Sequence, residues 1–401
     1  MAFILLKKTY LTVEPFEYET AARYLVNGEG FKNIFLNTTY YAAVHPFYPV
    51  LCSVVYFLKG DHLTILFVQN VASTLLGLLV YQFGKRLFSP EVGWVGCFLT
   101  LFHPALWVYT TLKLHSLIFD ATWFLVLLLS FMKLYELLSV TRSFFTGLVG
   151  GLACLSRSTL SLFVFLGTMW ILWGWRKKAS LTHLGCCVVV TFLTFFLTLT
   201  PWLVRNERRV GHRIGIVSTF GLNLWLGNNP NASGSAYTTE GKGVLDLMPT
   251  DQRTHLLTLT EWEQNELFKK EAIRFMKTHP RETVALFFRK WFAFWWRAPQ
   301  TGTLYPESWK TLYAFYYLIL LGLAIGGMAH AVFFSDQASQ SFSWLVLFLF
   351  FSVSFTQSLF FVEGRHRWAV EPILLIFSAE GAHLLWVRVR ELCAGSAVKS
   401  A

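Results

Sequence analysis

The chain has 401 residues, of which 54% are hydrophobic, 17% aromatic and only 14% charged. A soluble domain of this length has no use for so much apolar sequence, and several runs reach the roughly 18–20 residues that cross a bilayer. The formal charge of +11 therefore belongs to cytoplasmic anchoring of helices and to anions bound outside, which excludes a nucleic-acid reading.

The six cysteines lie mostly within apolar runs and include no CxxC, so neither a disulfide framework nor a zinc site is expected. The eleven histidines are scattered along the chain, and no glycine-rich stretch fits a nucleotide loop. No metal and no cofactor is expected.

Residues 1–13 are too short and too basic to span a membrane, and they lack the small-residue cleavage site of a signal peptide. The expectation there is a first transmembrane helix that is missing. Glu14-Pro-Phe-Glu17-Tyr18-Glu19 then opens a helix that Gly28-Glu-Gly30 should stop. Proline suits the first helical position, and Glu17 in the first turn meets the positive end of the dipole. Glu14, Glu17, Tyr18, Ala21 and Leu25 share one face by their spacing. The plain alternative is a cap with solvated neighbours, but glutamate is a poor cap beside Asp, Asn, Ser and Thr.

His45–Leu58 is short for a span and suits an interfacial or re-entrant helix. Spans are expected at Leu63–Phe83, Val92–Tyr109 (broken near His103-Pro104) and Leu117–Leu137. Phe144–Trp175 is too long for one span. It reads as two short helices meeting at Arg157, with Gly147 and Gly151 as a close-packing pair. Leu184–Trp202 follows, then a polar stretch to Lys310 and three more spans at Leu312–Phe333, Phe342–Phe361 and Trp368–Val387. Basic clusters after Phe83, Leu137, Trp175 and Val387 fall on one side of such a bundle. The positive-inside rule then makes 1–388 a membrane domain with external loops 14–62 and 202–310, and 389–401 a cytoplasmic tail. Within the long loop, Thr260-Glu-Trp-Glu263 is a capping box, and its helix should end near His279-Pro280. Pro280 starts a second helix, in which Arg289, Lys290 and Arg297 alternate with aromatics and which should lie in the headgroup plane.

Taken in order, these segments resemble the C superfamily (GT-C) of polyprenyl-phosphate-sugar glycosyltransferases. Within it they look like the family-39-like enzymes related to protein O-mannosyltransferases and to the aminoarabinose transferase of lipid A. Glu14 through Phe31 resembles the first external loop of that family, with Glu14 where an acidic catalytic residue, usually aspartate, stands four before a tyrosine. His45-Pro-Phe-Tyr-Pro49 resembles its juxtamembrane helix, and Gly150 to Arg157 its glycine-rich helix ending in arginine. Pro201-Trp-Leu-Val-Arg205-Asn206 and Phe220 to Pro230 resemble the start of the large external loop. Gly364-Arg365-His366-Arg367 through Glu371-Pro372 resembles a late Arg-Tyr-Arg-x-Pro pattern. Around Thr110–Ser116, however, the chain offers Lys113 and His115 where many relatives have a carboxylate.

The resemblance implies an all-α polytopic membrane protein that moves a sugar from a polyprenyl phosphate to an acceptor (glycan, lipid or protein) on the extracytoplasmic face, inverting. The phosphate leaves as an anion, so the chemistry needs a base for the acceptor hydroxyl and cations for the phosphate. Glu14 is the first candidate base and Glu17, one turn on, the second. Tyr18, Arg205, Asn206, Lys290, Arg365, His366 and Arg367 are the candidate substrate-binding residues, arginine being the natural bidentate phosphate ligand. For the arginines the bland alternative is interfacial anchoring, and for Lys290 a headgroup-facing position. Two other readings stand beside the enzyme: a lipid or glycan transporter, and a truncated, non-catalytic relative. Transporters place ionisable groups near the midplane in repeated broken helices, and no repeat is visible here.

Overall fold

The computed structural model describes residues 17–237, 242–296 and 307–399. Glu14, Arg297 and the missing first helix expected from residues 1–13 lie outside them.

Apolar runs become helices because only a helix satisfies each backbone N–H and C=O within its own segment. The chain opens with α1 (Glu17–Val26), a hairpin of β1 (Asn33–Phe35) and β2 (Thr38–Tyr40), and α2 (Phe47–Phe57). The hairpin falls inside the first loop and was not expected. Its two-residue turn puts Leu36 and Asn37 at positive φ (46° and 57°), and Leu-Asn is a weak turn signal.

The bundle follows as α3 (His62–Leu87), α4 (Pro90–Leu101), α5 (Pro104–Thr111), α6 (Leu117–Glu136), α7 (Val140–Ser156) and α8 (Ser161–Trp175). Then come α9 (Leu181–Val210) and the helices of the large loop, α10 (Phe220–Gly227), α11 (Thr250–Leu256), α12 (Glu261–Thr278) and α13 (Pro280–Trp295). The chain closes with α14 (Glu307–Phe333), α15 (Gln337–Leu359), α16 (Gly364–Trp368) and α17 (Glu371–Lys399). Among the described residues, 7 helices are long and apolar enough to cross a membrane, and α4 with α5 forms a further broken span bent by 52°.

Three expectations are met in detail. Phe144–Trp175 is two helices, parted at Arg157, whose extended backbone (φ −153°) ends α7. The break at His103-Pro104 separates α4 from α5, and His103 Nδ1 caps α5 by accepting from the Leu106 N–H at 3.2 Å. The Thr260–Glu263 capping box opens α12. Gly147 and Gly151 let α7 lie against α9: a Cβ on Gly147 would stand 2.2 Å from the Thr191 carbonyl, and one on Gly151 2.5 Å from Thr198 Cβ.

Two differ. The helix expected to end at Trp202 runs on to Val210, carrying Pro201 inside it, and the last helix continues through Lys399. Helix α13 does not lie across the end of the bundle. Phe287 and Trp291 meet Phe355 edge-on, Trp291 meets Phe351 at a tilt and Trp295 meets Phe350 edge-on, so α13 runs antiparallel down the last turns of α15. Its inward aromatic stripe finds a better partner on α15 than in lipid headgroups.

An up-and-down bundle brings alternate helix ends together. The end of α3 meets the end of α6 through an Arg86–Glu136 ion pair, and Arg142 donates to the Lys133 carbonyl. At the opposite end lie the starts of α3, α6, α8 and α17 and the finishes of α5, α7, α9 and α15. There the first loop and the large loop are fused. Glu261, buried at the start of α12, accepts from the N–H groups of Tyr41 (2.8 Å) and Ala42 (2.9 Å) and from Ser218 Oγ. Ser218 N in turn donates to the Ala42 carbonyl at 2.8 Å.

Candidate active site

The ionisable groups of that end converge from helix termini. Asp120, in the first turn of α6, accepts from Ser156 Oγ (2.7 Å), Ser116 Oγ (3.1 Å) and Arg157 Nη1 (3.1 Å). The break after α7 is what turns Arg157 toward it. Arg157 is 12% exposed, and its Nε has no partner. One edge of the guanidinium is thus held by Asp120, while its Nε is buried without a hydrogen-bond partner. Beside it, the Ser158 N–H donates to His45 Nε2 at 3.0 Å.

Arg365 comes from α16, where Glu363 is the N-cap and pairs with it (Nε–Oε2 3.0 Å). It remains 27% exposed. Its charge acts on Glu17, Lys113, His115 and His366, groups from α1, the 112–116 loop and α16 itself. Glu17 is open to solvent but ringed by protein, and this desolvation raises its pKa above 4.5, with Arg365 opposing part of the shift. Burial, with the charges of Arg365, Arg157 and Lys113, holds His115 well below 6.5. Burial and Arg157 hold His45 down to about 3, and His366 is lowered in the same way. All three imidazoles are neutral at neutral pH, which leaves the arginines and Lys113 as the site's cations. Tyr18 stands edge-on to His115 with ring centroids 5.4 Å apart, and its hydroxyl lies next to Ser116.

Of the residues proposed from sequence, Glu17, Tyr18, Arg365 and His366 come together here. The other four are engaged elsewhere. Arg205 donates to the carbonyls of Tyr41 and Phe31 and to Asn206 Oδ1, and it lies over the Trp202 ring at 4.8 Å. Asn206 is fully buried and donates to the carbonyls of Gly215 and Ile216. This pair tethers the first loop and the large loop to α9. Lys290 is neither headgroup-facing nor open to substrate, being 1% exposed. Its ammonium donates to the carbonyls of Gly227 (3.0 Å) and Phe360 (2.8 Å) and to Asn228 Oδ1, so it closes the C-terminal ends of α10 and α15. Burial pushes its pKa down to about 7. Arg367, 3% exposed, pairs with Glu371 and donates to the Phe294 carbonyl. The two late arginines thus point to different places, because they stand two residues, roughly half a turn, apart on α16.

Asp120 was missed. Sequence reasoning found no carboxylate in the 110–116 loop, yet one stands four residues past Ser116. The signal was present: Asp120 and Arg157 are opposite charges inside apolar runs, and such charges usually pair.

These features define the class, a polytopic helical membrane protein with an arginine- and carboxylate-lined site at one end of its bundle. Residues 44–202 match the family model described as dolichyl-phosphate-mannose-protein mannosyltransferase. Two solved structures of the Archaeoglobus fulgidus oligosaccharyltransferase share the fold. One is tethered to an acceptor peptide containing the NVT sequon (TM-score 0.54, 14% identity, 94% of this chain and 46% of that one). The other is the apo form (TM-score 0.54, 15% identity, 95% and 47%). The chain spans about half the length of these structures, and no curated protein matches it. Over residues 44–202 the chain is thus similar to that mannosyltransferase family, and its fold is that of the archaeal structures.

Proposed function

We propose that this protein transfers one sugar from a polyprenyl phosphate to an acceptor hydroxyl at the extracytoplasmic end of the bundle, by direct displacement with inversion. The observation that carries this reading is the pair of reachable arginines, Arg365 and Arg157, beside the carboxylates of α1 and α6. The acceptor oxygen attacks the anomeric carbon as a carboxylate of the first loop takes its proton. The bond from that carbon to the phosphate oxygen breaks, and the carrier phosphate leaves as an anion held by the arginines. Glu14 is the base by resemblance and Glu17 by its place beside Arg365. The gathering of charges at helix ends favours this over transport, which needs ionisable groups at the midplane.

The test is binding of undecaprenyl phosphate in detergent micelles. Arg365→Ala should weaken it by roughly 10–100-fold, since a charge-assisted contact to phosphate contributes about 1.5–3 kcal/mol. Arg157→Lys should weaken it less, because the charge beside Asp120 is kept. Arg205→Ala should leave affinity within about threefold, as its guanidinium already serves backbone carbonyls. Parent affinity in Arg365→Ala and in Arg365→Ala combined with Arg157→Lys would remove the phosphate site.

Orientation is tested by cysteine labelling in intact cells. Lys270→Cys, exposed on α12, should react with a membrane-impermeant thiol reagent above the parent background. Glu91→Cys, exposed at the start of α4, should not. The reverse pattern would turn the bundle over.

A further inference from the structure

One buried amide joins the short loops of the site. Gln69 lies two turns into α3 and is fully buried. Helix α5 ends at Thr111 and α6 begins at Leu117, so the backbone between them cannot satisfy itself within a helix. Gln69 supplies the missing partners. Its Nε2 donates to the carbonyls of Lys113 (2.9 Å), Thr110 (3.2 Å) and Tyr109 (3.3 Å). Its Oε1 accepts from the His115 N–H (3.2 Å) and from the Tyr48 hydroxyl on α2. The Tyr48 ring stands edge-on to Tyr18 of α1 at 5.5 Å, and Tyr18 in turn meets His115. The contacts close a ring, Gln69 to Tyr48 to Tyr18 to His115 and back, through α3, α2, α1 and the 112–116 loop.

We propose that Gln69 is a positioning residue, which sets the 112–116 loop and the Tyr18 edge of α1 in one register around the site. What that register serves rests on the sugar-carrier reading; the register itself does not. An apolar side chain of the same volume would fill the space but leave the carbonyls of Lys113 and Tyr109, the His115 N–H and the Tyr48 hydroxyl without this partner, while Asn70 Nδ2 still serves the Thr110 carbonyl. Glutamine suits the place because one amide offers two donor hydrogens and an acceptor together.

The test is hydrogen exchange of the purified protein in micelles. Gln69→Met should speed exchange at 112–117 by roughly tenfold or more, while the interiors of α6 and α17 keep parent rates. Gln69→Glu keeps the acceptor but loses every donor while ionised. Its carboxyl regains one donor only when protonated. Exchange in that variant, corrected for intrinsic rate, should therefore slow toward the parent as pH falls. A residue that only fills space would give Met and Glu variants no such difference in pH profile. If Gln69→Met does not fold, Tyr48→Phe carries the test, since it removes one donor and keeps the stack; a severalfold effect is expected. Parent-like exchange at 112–117 in the folded variants overturns the proposal.

Added undecaprenyl phosphate separates the two ideas. In the parent it should slow exchange at 112–117 and at 363–367; in Gln69→Met only the second protection should survive. Loss of both in Gln69→Met would make Gln69 a general structural residue and overturn the positioning role. If the lipid protects neither segment in the parent while Gln69→Met still loosens the loop, the carrier reading fails and the register stands.

Discussion

Glu14→Gln is expected to lower sugar transfer by about 10²–10⁴-fold, the usual contribution of a positioned general base, with carrier binding near that of the parent. The amide keeps the shape of the carboxylate but cannot accept the acceptor's proton at neutral pH. Glu14→Asp should keep partial activity, because the base remains and only its reach shortens. Glu17→Gln is the comparison that locates the base, since Glu17 shares the acidic segment and stands within the influence of Arg365. A base works deprotonated, so the rate falls as pH falls through its pKa. Desolvation raises Glu17, so if Glu17 is the base the acid limb of the pH–rate profile lies above 4.5. That limb should then vanish in Glu17→Gln and persist in Glu14→Gln. Should Glu14→Gln alone abolish transfer, Glu14 is the base and Glu17 shapes the local potential. Parent rates in both would leave the enzyme reading without its proton acceptor.

The spans were legible in the sequence because they depend on one strong signal, the length of an apolar run, and the two breaks were marked by residues that do not tolerate a continuous helix there. Pro104 forces the first, and Arg157 needs the second to reach Asp120. Partner choice was not legible. Arg205, Lys290 and Arg367 are basic residues near helix ends, as Arg365 is, and composition cannot say which of them meets a carbonyl, a helix terminus, a buried glutamate or open space. Asn206 and Gln69 show the same gap for amides, since their partners lie on loops whose paths are set by tertiary packing. Of the site residues that sequence reasoning did not name, Asp120 carried a readable cue, being a lone carboxylate in the first turn of a span. Its partner lies 37 residues away, and only the crossing of α6 and α7 joins them.

Glu371→Gln is expected to destabilise the bundle by about 3–5 kcal/mol, the cost of leaving one member of a buried ion pair uncompensated. Glu371 is 1% exposed at the start of α17 and takes Arg367 on one oxygen, His103 on the other and the Tyr313 hydroxyl at 3.0 Å from both. Arg367 lies over the Tyr317 ring at 3.5 Å and donates to the Phe294 carbonyl, the last turn of α13. The network therefore joins α5, α13, α14, α16 and α17 in one place, and the neutral variant strands a guanidinium at its centre. Arg367→Met should cost less, because His103 and the Tyr313 hydroxyl still hold the remaining carboxylate. Arg367→Met combined with Glu371→Leu removes both charges at similar volume and should recover most of the loss. The measurement is the denaturation midpoint in micelles for the two single variants and the double. A Glu371→Gln variant as stable as the parent would mean that water reaches the pair. In that case Arg367 returns to the candidates for the carrier phosphate, and its effect on undecaprenyl phosphate affinity should then match that of Arg365.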